Sequence, residues 1–135
     1  MSKQVPPKRG EIYWVNFGEL ESDDKSSGTE INGKERPALI ISLNWYNDEA
    51  SRVAILLFSS KVKNIRVFEL YLGKVVVNDP KNRESKIMVD QIRSIDKKKL
   101  SKKGGELTSE QMEKVEEVLS KFLVLTERIK AKLQK

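Results

Sequence analysis

Apolar and polar positions alternate in short runs along most of the chain, a pattern typical of β-strands. Segment 10–17 broadly alternates and is rich in aromatic residues, so it predicts a half-buried strand. Segment 36–42 predicts a second strand with Pro37 near its entry, where no ladder hydrogen bond is lost. Segment 52–58 is nearly all apolar and predicts a strand covered on both faces. The polar segment 44–51 indicates a turn, with a short helical turn as the alternative.

Further strands are predicted before the pattern changes. Segment 66–72 is a strand candidate that turns at Gly73 into the valine run 75–77. The Asn, Asp, Pro and Lys cluster at 78–82 is typical of a turn. Segment 85–90 is then predicted to be the last strand of the chain.

The segment between the first two strands follows neither pattern. Residues 20–35 are mostly Ser, Asp, Glu, Gly, Asn and Lys, with almost no apolar positions. We therefore predict a long mobile loop at about 19–35. Loops of this length in a small domain are usually functional or disordered.

After Ile95 the apolar spacing changes from two to three or four. Segment 96–100 indicates a short helical turn that closes at Gly104 and Gly105. Thr108 opens the next element, and Gln111 stands where a capping box requires its second member.

The C-terminal part predicts one amphipathic helix at about 108–133. Its glutamates and Lys121 face away from a single apolar stripe, which we interpret first as core packing. The stripe consists of Met112, Val115, Leu119, Phe122, Leu125, Ile129 and Leu133.

About six short strands followed by one long helix predict a mainly β fold. We expect a small barrel or a strongly curved sheet, with the C-terminal helix packed on it. The length of 135 residues fits one domain, 1–135, with a core that needs no covalent staple.

Composition removes several kinds of chemistry. The chain has neither cysteine nor histidine, so disulfides, thiolate catalysis, cysteine–zinc sites and imidazole acid–base catalysis are excluded. A metal site would need carboxylates alone. The apolar runs are too short to span a bilayer, and the polar residues 1–9 contain no export signal. We therefore expect a cytoplasmic location and no membrane partner.

Basic residues exceed acidic ones, 26 against 20, for a formal net charge of +6. Residues 97–135 hold eleven of the basic and six of the acidic groups, so most of the excess lies there. Such a balance favours a polyanionic partner, although a solvated helix face gives the same pattern.

Three catalytic routes remain for such a chain. The acidic pairs 23–24 and 48–49 lack the spacing of a rigid metal cage and are expected to be solvated. The run 59–61, Ser-Ser-Lys, could supply a serine nucleophile and a lysine base, but no glycine-rich oxyanion loop accompanies it.

The third route is cleavage of RNA, which supplies its own nucleophile as the 2′-hydroxyl. The protein then has to orient the strand, stabilise charge on the phosphorane and help move two protons. Arg36 stands between the predicted loop and a core strand, and an arginine fork fits phosphate oxygens in pairs. A surface ion pair at the strand entry is the alternative role for Arg36.

The order of several segments resembles the MazF/PemK toxin family. Segments 9–17, 28–30 and 33–42 resemble that family's opening strand and its glycine-to-Arg-Pro loop. Segment 58–60 resembles its strand end with hydroxyl residues. Segment 84–96, with Asp-Gln-Ile-Arg-Ser-Ile-Asp, resembles a further motif of the family. The closing helix fits as well, so the resemblance covers about residues 8 to 126.

The resemblance implies an SH3-like β-barrel of the MazF/PemK/CcdB kind that forms a homodimer. It implies the toxin of a type II toxin–antitoxin system, a sequence-specific endoribonuclease that cuts single-stranded RNA. The products would carry 2′,3′-cyclic phosphate and 5′-hydroxyl ends, with no metal or other cofactor. The expected partners are RNA and a cognate antitoxin with a disordered acidic tail.

The resemblance also assigns site residues. Arg36 matches the catalytic arginine of the Arg-Pro step, and Ser59 matches the catalytic threonine. RNA-binding roles are implied for Thr29, Glu30, Ser60, Lys61, Ser85, Asp90 and Gln91.

The chain departs from the family pattern at a few positions. Its loop has about one extra residue before Arg36. Thr29 and Met88 stand where some members have a histidine and an arginine, so the carriers of the two protons differ from those members. A non-catalytic barrel of the same fold, binding a protein target as gyrase-poisoning relatives do or binding nucleic acid, is the alternative function.

Overall fold

The computed structural model describes residues 5–17 and 35–125, and the following account concerns these residues. They form six strands, two α-helices and a 3-10 helix. In chain order these are β1 (Glu11–Asn16), β2 (Glu35–Ile40), α1 (Asn44–Glu49), β3 (Arg52–Ser59), β4 (Glu69–Gly73), β5 (Ser85–Asp96), the 3-10 helix (Lys97–Lys99), β6 (Leu100–Glu106) and α2 (Ser109–Phe122).

The six strands make one antiparallel sheet in the order β4-β5-β3-β2-β1-β6. The predicted mainly β fold with a C-terminal helix is therefore confirmed. Strand pairing within the described residues leaves β4 and β6 at opposite ends, so the sheet is curved but not closed. Its ends still meet, because the Val77 amide donates to the Gly104 carbonyl at 2.8 Å. The Asn78 side chain joins the Trp14 indole to the Lys103 carbonyl.

Strict alternation along the strands builds two apolar layers, one on each side of the sheet. The side we call the helix face carries Ile12, Leu39 and Phe58, and α2 packs there through Met112 and Val115. The opposite side we call the groove face. Its buried core is formed by Val15, Phe17, Ala38, Ile40, Val53, Ile55, Leu57, Met88 and Ile95. β3 contributes to both layers, as its nearly continuous apolar sequence predicted.

The last part of the sheet differs from the sequence prediction. β5 extends to Asp96 rather than ending at Asp90, and it is not the last strand. Leu100–Glu106 forms β6 and pairs with β1, although we predicted only a helical turn closing at two glycines. The helical turn itself is present at Lys97–Lys99. β6 was missed because five of its seven residues are Ser, Lys or Gly, which hides the strand period.

The start of α2 is as predicted, and its end is not. The Thr108 side chain accepts from the Gln111 amide while the Gln111 side chain accepts from the Thr108 amide, which completes the capping box. The helix ends at Phe122, and Val124 has a left-handed φ of 61°. The prediction of a continuous helix over 108–133 is therefore wrong at Leu123 and Val124. Residues 126–135 lie outside the described residues.

Most of the predicted loop at about 19–35 also lies outside the described residues. Its last predicted residue, Glu35, instead begins β2 and pairs with Asn16 of β1. Within the described ranges, no helix is both long and apolar enough to cross a lipid bilayer.

We expect Gly105→Ala to destabilise the fold strongly. Gly105 has φ of +151°, and an added Cβ would lie 2.5 Å from the Val75 carbonyl oxygen, where the ends of the sheet meet. Strain and overlap together should lower the free energy of unfolding by about 3 kcal/mol, measured by urea denaturation. Gly73→Ala is the matched control, with a left-handed φ but no overlap, and should cost about 1–2 kcal/mol. Equal losses in the two variants would contradict the overlap.

The carboxylate of Asp79, in the turn after β4, makes the stability of the fold depend on pH. Asp79 accepts from the Lys81 amide at 3.0 Å, from the Arg83 amide at 3.2 Å, and from two nitrogens of the Arg83 side chain. Burial raises the pKa of Asp79, but these hydrogen bonds outweigh it and hold the pKa below its ordinary value of 3.8.

We therefore expect Asp79→Asn to destabilise the protein at neutral pH and to matter less in acid. A lowered carboxyl pKa stabilises the fold above pH 3.8, and this contribution is lost as pH falls through the folded-state pKa. Urea titrations of both proteins from pH 7 to pH 3 test this. A difference in unfolding free energy that stays constant over this range would refute it.

Candidate active site

The register of three neighbouring strands sets polar residues in a row across the sheet. Ala38 of β2 pairs with Leu57 of β3, so two residues further along Arg36 stands opposite Ser59. Ser59 in turn pairs with Lys86 of β5. Because side chains two apart share a face, this row lies on the groove face, next to the apolar core and on the side opposite α2.

Arg36 is fixed by the strand beside it. Its Nη2 donates to the Phe58 carbonyl oxygen at 3.0 Å, at the peptide that precedes Ser59. This contact holds the planar guanidinium at the end of β3. The residue is partly buried, so its charge is less screened than that of a fully exposed arginine.

Ser59 closes the apolar strand β3 and is partly exposed at the groove. Its Oγ accepts a hydrogen bond from the Lys61 amide at 3.1 Å. A hydroxyl that accepts in this way keeps its own proton for donation to a ligand oxygen. The arrangement therefore places a guanidinium and a hydroxyl donor side by side.

An irregularity in β5 presents Asp90 and Gln91. Ile55 pairs with Arg93 and Leu57 pairs with Met88, so one residue of β3 faces the four residues 89–92 of β5. Extra residues of this kind lose their partners across the ladder, and here the strand turns outward after the buried Val89. Asp90 and Gln91 are both exposed as a result.

These residues share one open groove of about 770 Å³. Among the described residues that line it, six are basic and two are acidic, so its surface favours an anion. The guanidinium of Arg93 also lies 5.7 Å from the centre of the Phe17 ring. The lining residues are Arg36, Leu57, Ser59, Ser60, Lys61, Val62, Lys63, Asn64, Arg66, Glu69, Lys86, Met88, Asp90, Gln91 and Arg93.

An ion pair lies in the floor of this groove. Lys86 Nζ and Glu69 Oε1 are 2.7 Å apart, and both side chains are more than nine-tenths buried, with 8% and 9% exposure. Burial raises the pKa of the Glu69 carboxyl, but hydrogen bonds from Lys86 and from the Arg66 amide outweigh burial, and the pKa lies below its ordinary value. Glu69 is therefore held as a carboxylate.

The structure brings together six of the nine predicted site residues in the groove: Arg36, Ser59, Ser60, Lys61, Asp90 and Gln91. Ser85 is buried and does not line the groove. Thr29 and Glu30 lie outside the described residues.

Several groove residues were not predicted: Lys63, Asn64, Arg66, Glu69, Lys86 and Arg93. A sequence signal existed for three of them. The run after Ser59 contains Lys63 and Arg66, and Lys86 stands immediately before the apolar run Ile-Met-Val of the same strand. The role of Glu69 depends on the pairing of β4 with β5, which the sequence does not reveal.

Of the two acidic pairs considered as metal cages, only 48–49 belongs to the described residues, and it does not line the groove. Asp48 and Glu49 end α1, while residues 23–24 are outside the described part of the chain. Within the described residues, no three carboxylates come close enough to hold one ion.

Comparison with known proteins places this chain in a family. The model of the PemK-like, MazF-like toxins of type II toxin–antitoxin systems matches residues 8–123. A curated relative, endoribonuclease EndoA of Bacillus subtilis (strain 168), is 28% identical over 122 residues, which cover 87% of this chain and 95% of the relative.

Solved structures have the same fold. A mycobacterial endoribonuclease in complex with its cognate antitoxin has a TM-score of 0.66 and 23% identity, covering 88% of this chain and 96% of that one. MazF in a MazE–MazF crystal structure from Deinococcus radiodurans has a TM-score of 0.67 and 21% identity, covering 89% and 97%. The family model spans the whole sheet and α2, so this chain belongs to the PemK-like, MazF-like toxins of type II toxin–antitoxin systems.

Proposed function

We propose that this chain is an endoribonuclease that cuts single-stranded RNA with Arg36 and Ser59. The observation that carries the proposal is the placement of a guanidinium and a hydroxyl donor on adjacent strands of a basic groove. Membership of the toxin family supports it, as does similarity to a relative named as an endoribonuclease. A groove that served only to bind an anion would not require this pair.

In the proposed reaction the RNA supplies the nucleophile. Its 2′-oxygen attacks the adjacent phosphorus, the bond to the 5′-oxygen breaks, and the products carry a 2′,3′-cyclic phosphate and a 5′-hydroxyl. Arg36 donates to the phosphate oxygens through its fork, and Ser59 adds a further hydrogen bond as negative charge grows. In this mechanism Asp90, a carboxylate of the same groove, accepts the proton of the 2′-hydroxyl, and the leaving 5′-oxygen takes a proton from solvent.

The same groove would select an unpaired strand. Lys61, Lys63 and Arg66 supply positive charge along one wall for the phosphates. Asp90 and Gln91 leave the ladder and present polar groups that suit the edges of splayed bases. A duplex hides those edges and is too stiff to splay its bases.

We further propose a homodimer that acts in the cytoplasm and is neutralised by an antitoxin with an acidic tail. Exposed apolar side chains outside the core, among them Leu43, Trp45, Val67 and Val77, support association. A two-fold pair would bury apolar surface and extend the groove. The excess of positive charge in the groove complements an acidic segment, and a mycobacterial endoribonuclease of the same fold has been solved in complex with its cognate antitoxin.

Replacement of Arg36 tests the central claim. Arg36→Ala should slow cleavage at saturating RNA by about 3–4 kcal/mol in barrier height, with a far smaller loss of RNA affinity. Arg36→Lys should also be poor, because a point charge does not replace the fork. Single-turnover cleavage and equilibrium binding of the same labelled RNA measure the two effects.

Arg52→Ala is the matched control for Arg36→Ala. Arg52 begins β3 at the other end, bonds to Ser94 and does not line the groove, so its loss should leave cleavage unchanged. Equal loss of binding and rate in Arg36→Ala would make Arg36 a docking residue. That result would favour the non-catalytic barrel.

Cleavage should need no divalent ion. The nucleophile is the 2′-hydroxyl of the RNA, and Arg36 stabilises the negative charge on the phosphorane. Purified protein should therefore cut a single-stranded RNA in excess EDTA at its full rate. A duplex of the same sequence should resist cutting under the same conditions. Activity that disappears in EDTA and returns with magnesium or manganese would refute this mechanism.

A further inference from the structure

Lys86 and Glu69 form a buried ion pair on a face of the sheet whose core is otherwise apolar. Neighbouring inward positions on this face, such as Met88 and Leu57, are apolar. A buried ion pair costs desolvation on both partners, and a well-packed apolar pair in its place is often as stable or more so. The sheet therefore does not need charges at these two positions for stability.

Both charged groups reach into the segment that joins β3 to β4. Lys86 Nζ donates to the Asn64 carbonyl at 2.8 Å, in addition to its ion pair. Glu69 Oε1 accepts from the Arg66 amide at 2.9 Å. The pair thus bonds to the backbone of segment 60–68 at two separate points.

Segment 60–68 needs such support because of its path. β5 lies between β3 and β4 in the sheet, so the segment has to cross over β5. Its bond to Lys86 and its place in the groove lining put the crossing on the groove face. It contains no helix or strand. Backbone amides hold its two ends, those of Lys61 at the start and of Glu69 and Val89 at the other end, and Lys86 holds its middle.

This segment is also a wall of the groove. Ser60, Lys61, Val62, Lys63, Asn64 and Arg66 line the groove from it. Three of these residues are basic, so the position of the segment sets where half of the positive charge of the groove lies. Lys86 itself is only 8% exposed and paired, which leaves it little surface for a ligand.

We propose that the buried Lys86–Glu69 pair is a positioning element that fixes segment 60–68 as the basic wall of the groove and thereby sets its affinity for RNA. The inference rests on the proposed function in taking RNA as the ligand. The two residues act through the segment rather than by touching the strand that is cut.

A charge-neutral double variant separates this role from stability and from electrostatics. Lys86→Met/Glu69→Leu removes one positive and one negative charge and fills the same space with apolar groups. Its Tm should stay close to that of the wild type, whereas Lys86→Met alone should lose about 5 °C or more because it leaves a buried carboxylate unpaired. With both bonds to the segment lost, KM for a single-stranded RNA should rise about tenfold, with a smaller change in kcat.

Three further single variants sharpen the test. Glu69→Gln keeps an oxygen that accepts from both Lys86 and Arg66, so its KM should stay near the wild-type value. Glu69→Leu removes a negative charge from the groove, so charge alone predicts tighter RNA binding, whereas loss of the anchor predicts weaker binding. Arg9→Met, which breaks the Arg9–Glu116 bridge to α2, is the control for a destabilised fold with an intact groove.

Hydrogen exchange gives a readout that does not depend on RNA. Backbone amides of segment 60–68 should exchange faster in the double variant than in the wild type, while amides of β1 and β2 should be unchanged. Wild-type exchange in that segment, or a wild-type KM with a wild-type Tm, would show that the pair is merely structural and would overturn the inference. Failure of the wild-type protein to cut RNA would instead refute the proposed function, and the exchange result would still decide whether the pair anchors the segment.

Discussion

The register of β3 with its two neighbours is the constraint on which the rest of the molecule depends. Ala38, Leu57 and Met88 share one register line and are buried on the groove face. A slip of β2 by one residue would turn Ala38 to the other side and would also move Arg36 away from Ser59. The apolar core thus fixes the geometry of the candidate site, because the same alternation controls both.

The groove lies where this alternation passes from apolar to polar residues. β3 is apolar on both faces until Ser59, so the strand end is rigid but its last side chain reaches solvent. Further along the same groove, the irregularity of β5 leaves Asp90 and Gln91 exposed. Rigid elements therefore supply the donors, and an irregular strand supplies the exposed polar groups. Such preorganised donors stabilise developing charge without having to reorder.

Strands with a clear period could be predicted from the sequence, as could the capping box of α2 and the pair Arg36 and Ser59. β6 could not, because five of its seven residues are Ser, Lys or Gly, so its sequence shows no strand period although it pairs with β1. The early end of α2 also had no signal, since the apolar stripe continues past Phe122. The Lys86–Glu69 pair depends on which strands are neighbours. Local patterns thus predict elements, whereas long-range pairing decides which side chains meet.

The absence of histidine has a physical consequence for chemistry in this groove. An arginine guanidinium stays charged throughout the neutral pH range, and a serine hydroxyl does not titrate there. The positive charge that would stabilise the phosphorane is therefore constant across neutral pH. Proton transfer is a separate task, for which the proposed mechanism uses Asp90, a carboxylate of the same groove. The proposed mechanism thus assigns stabilisation of charge and transfer of protons to different residues, and substitutions can separate them.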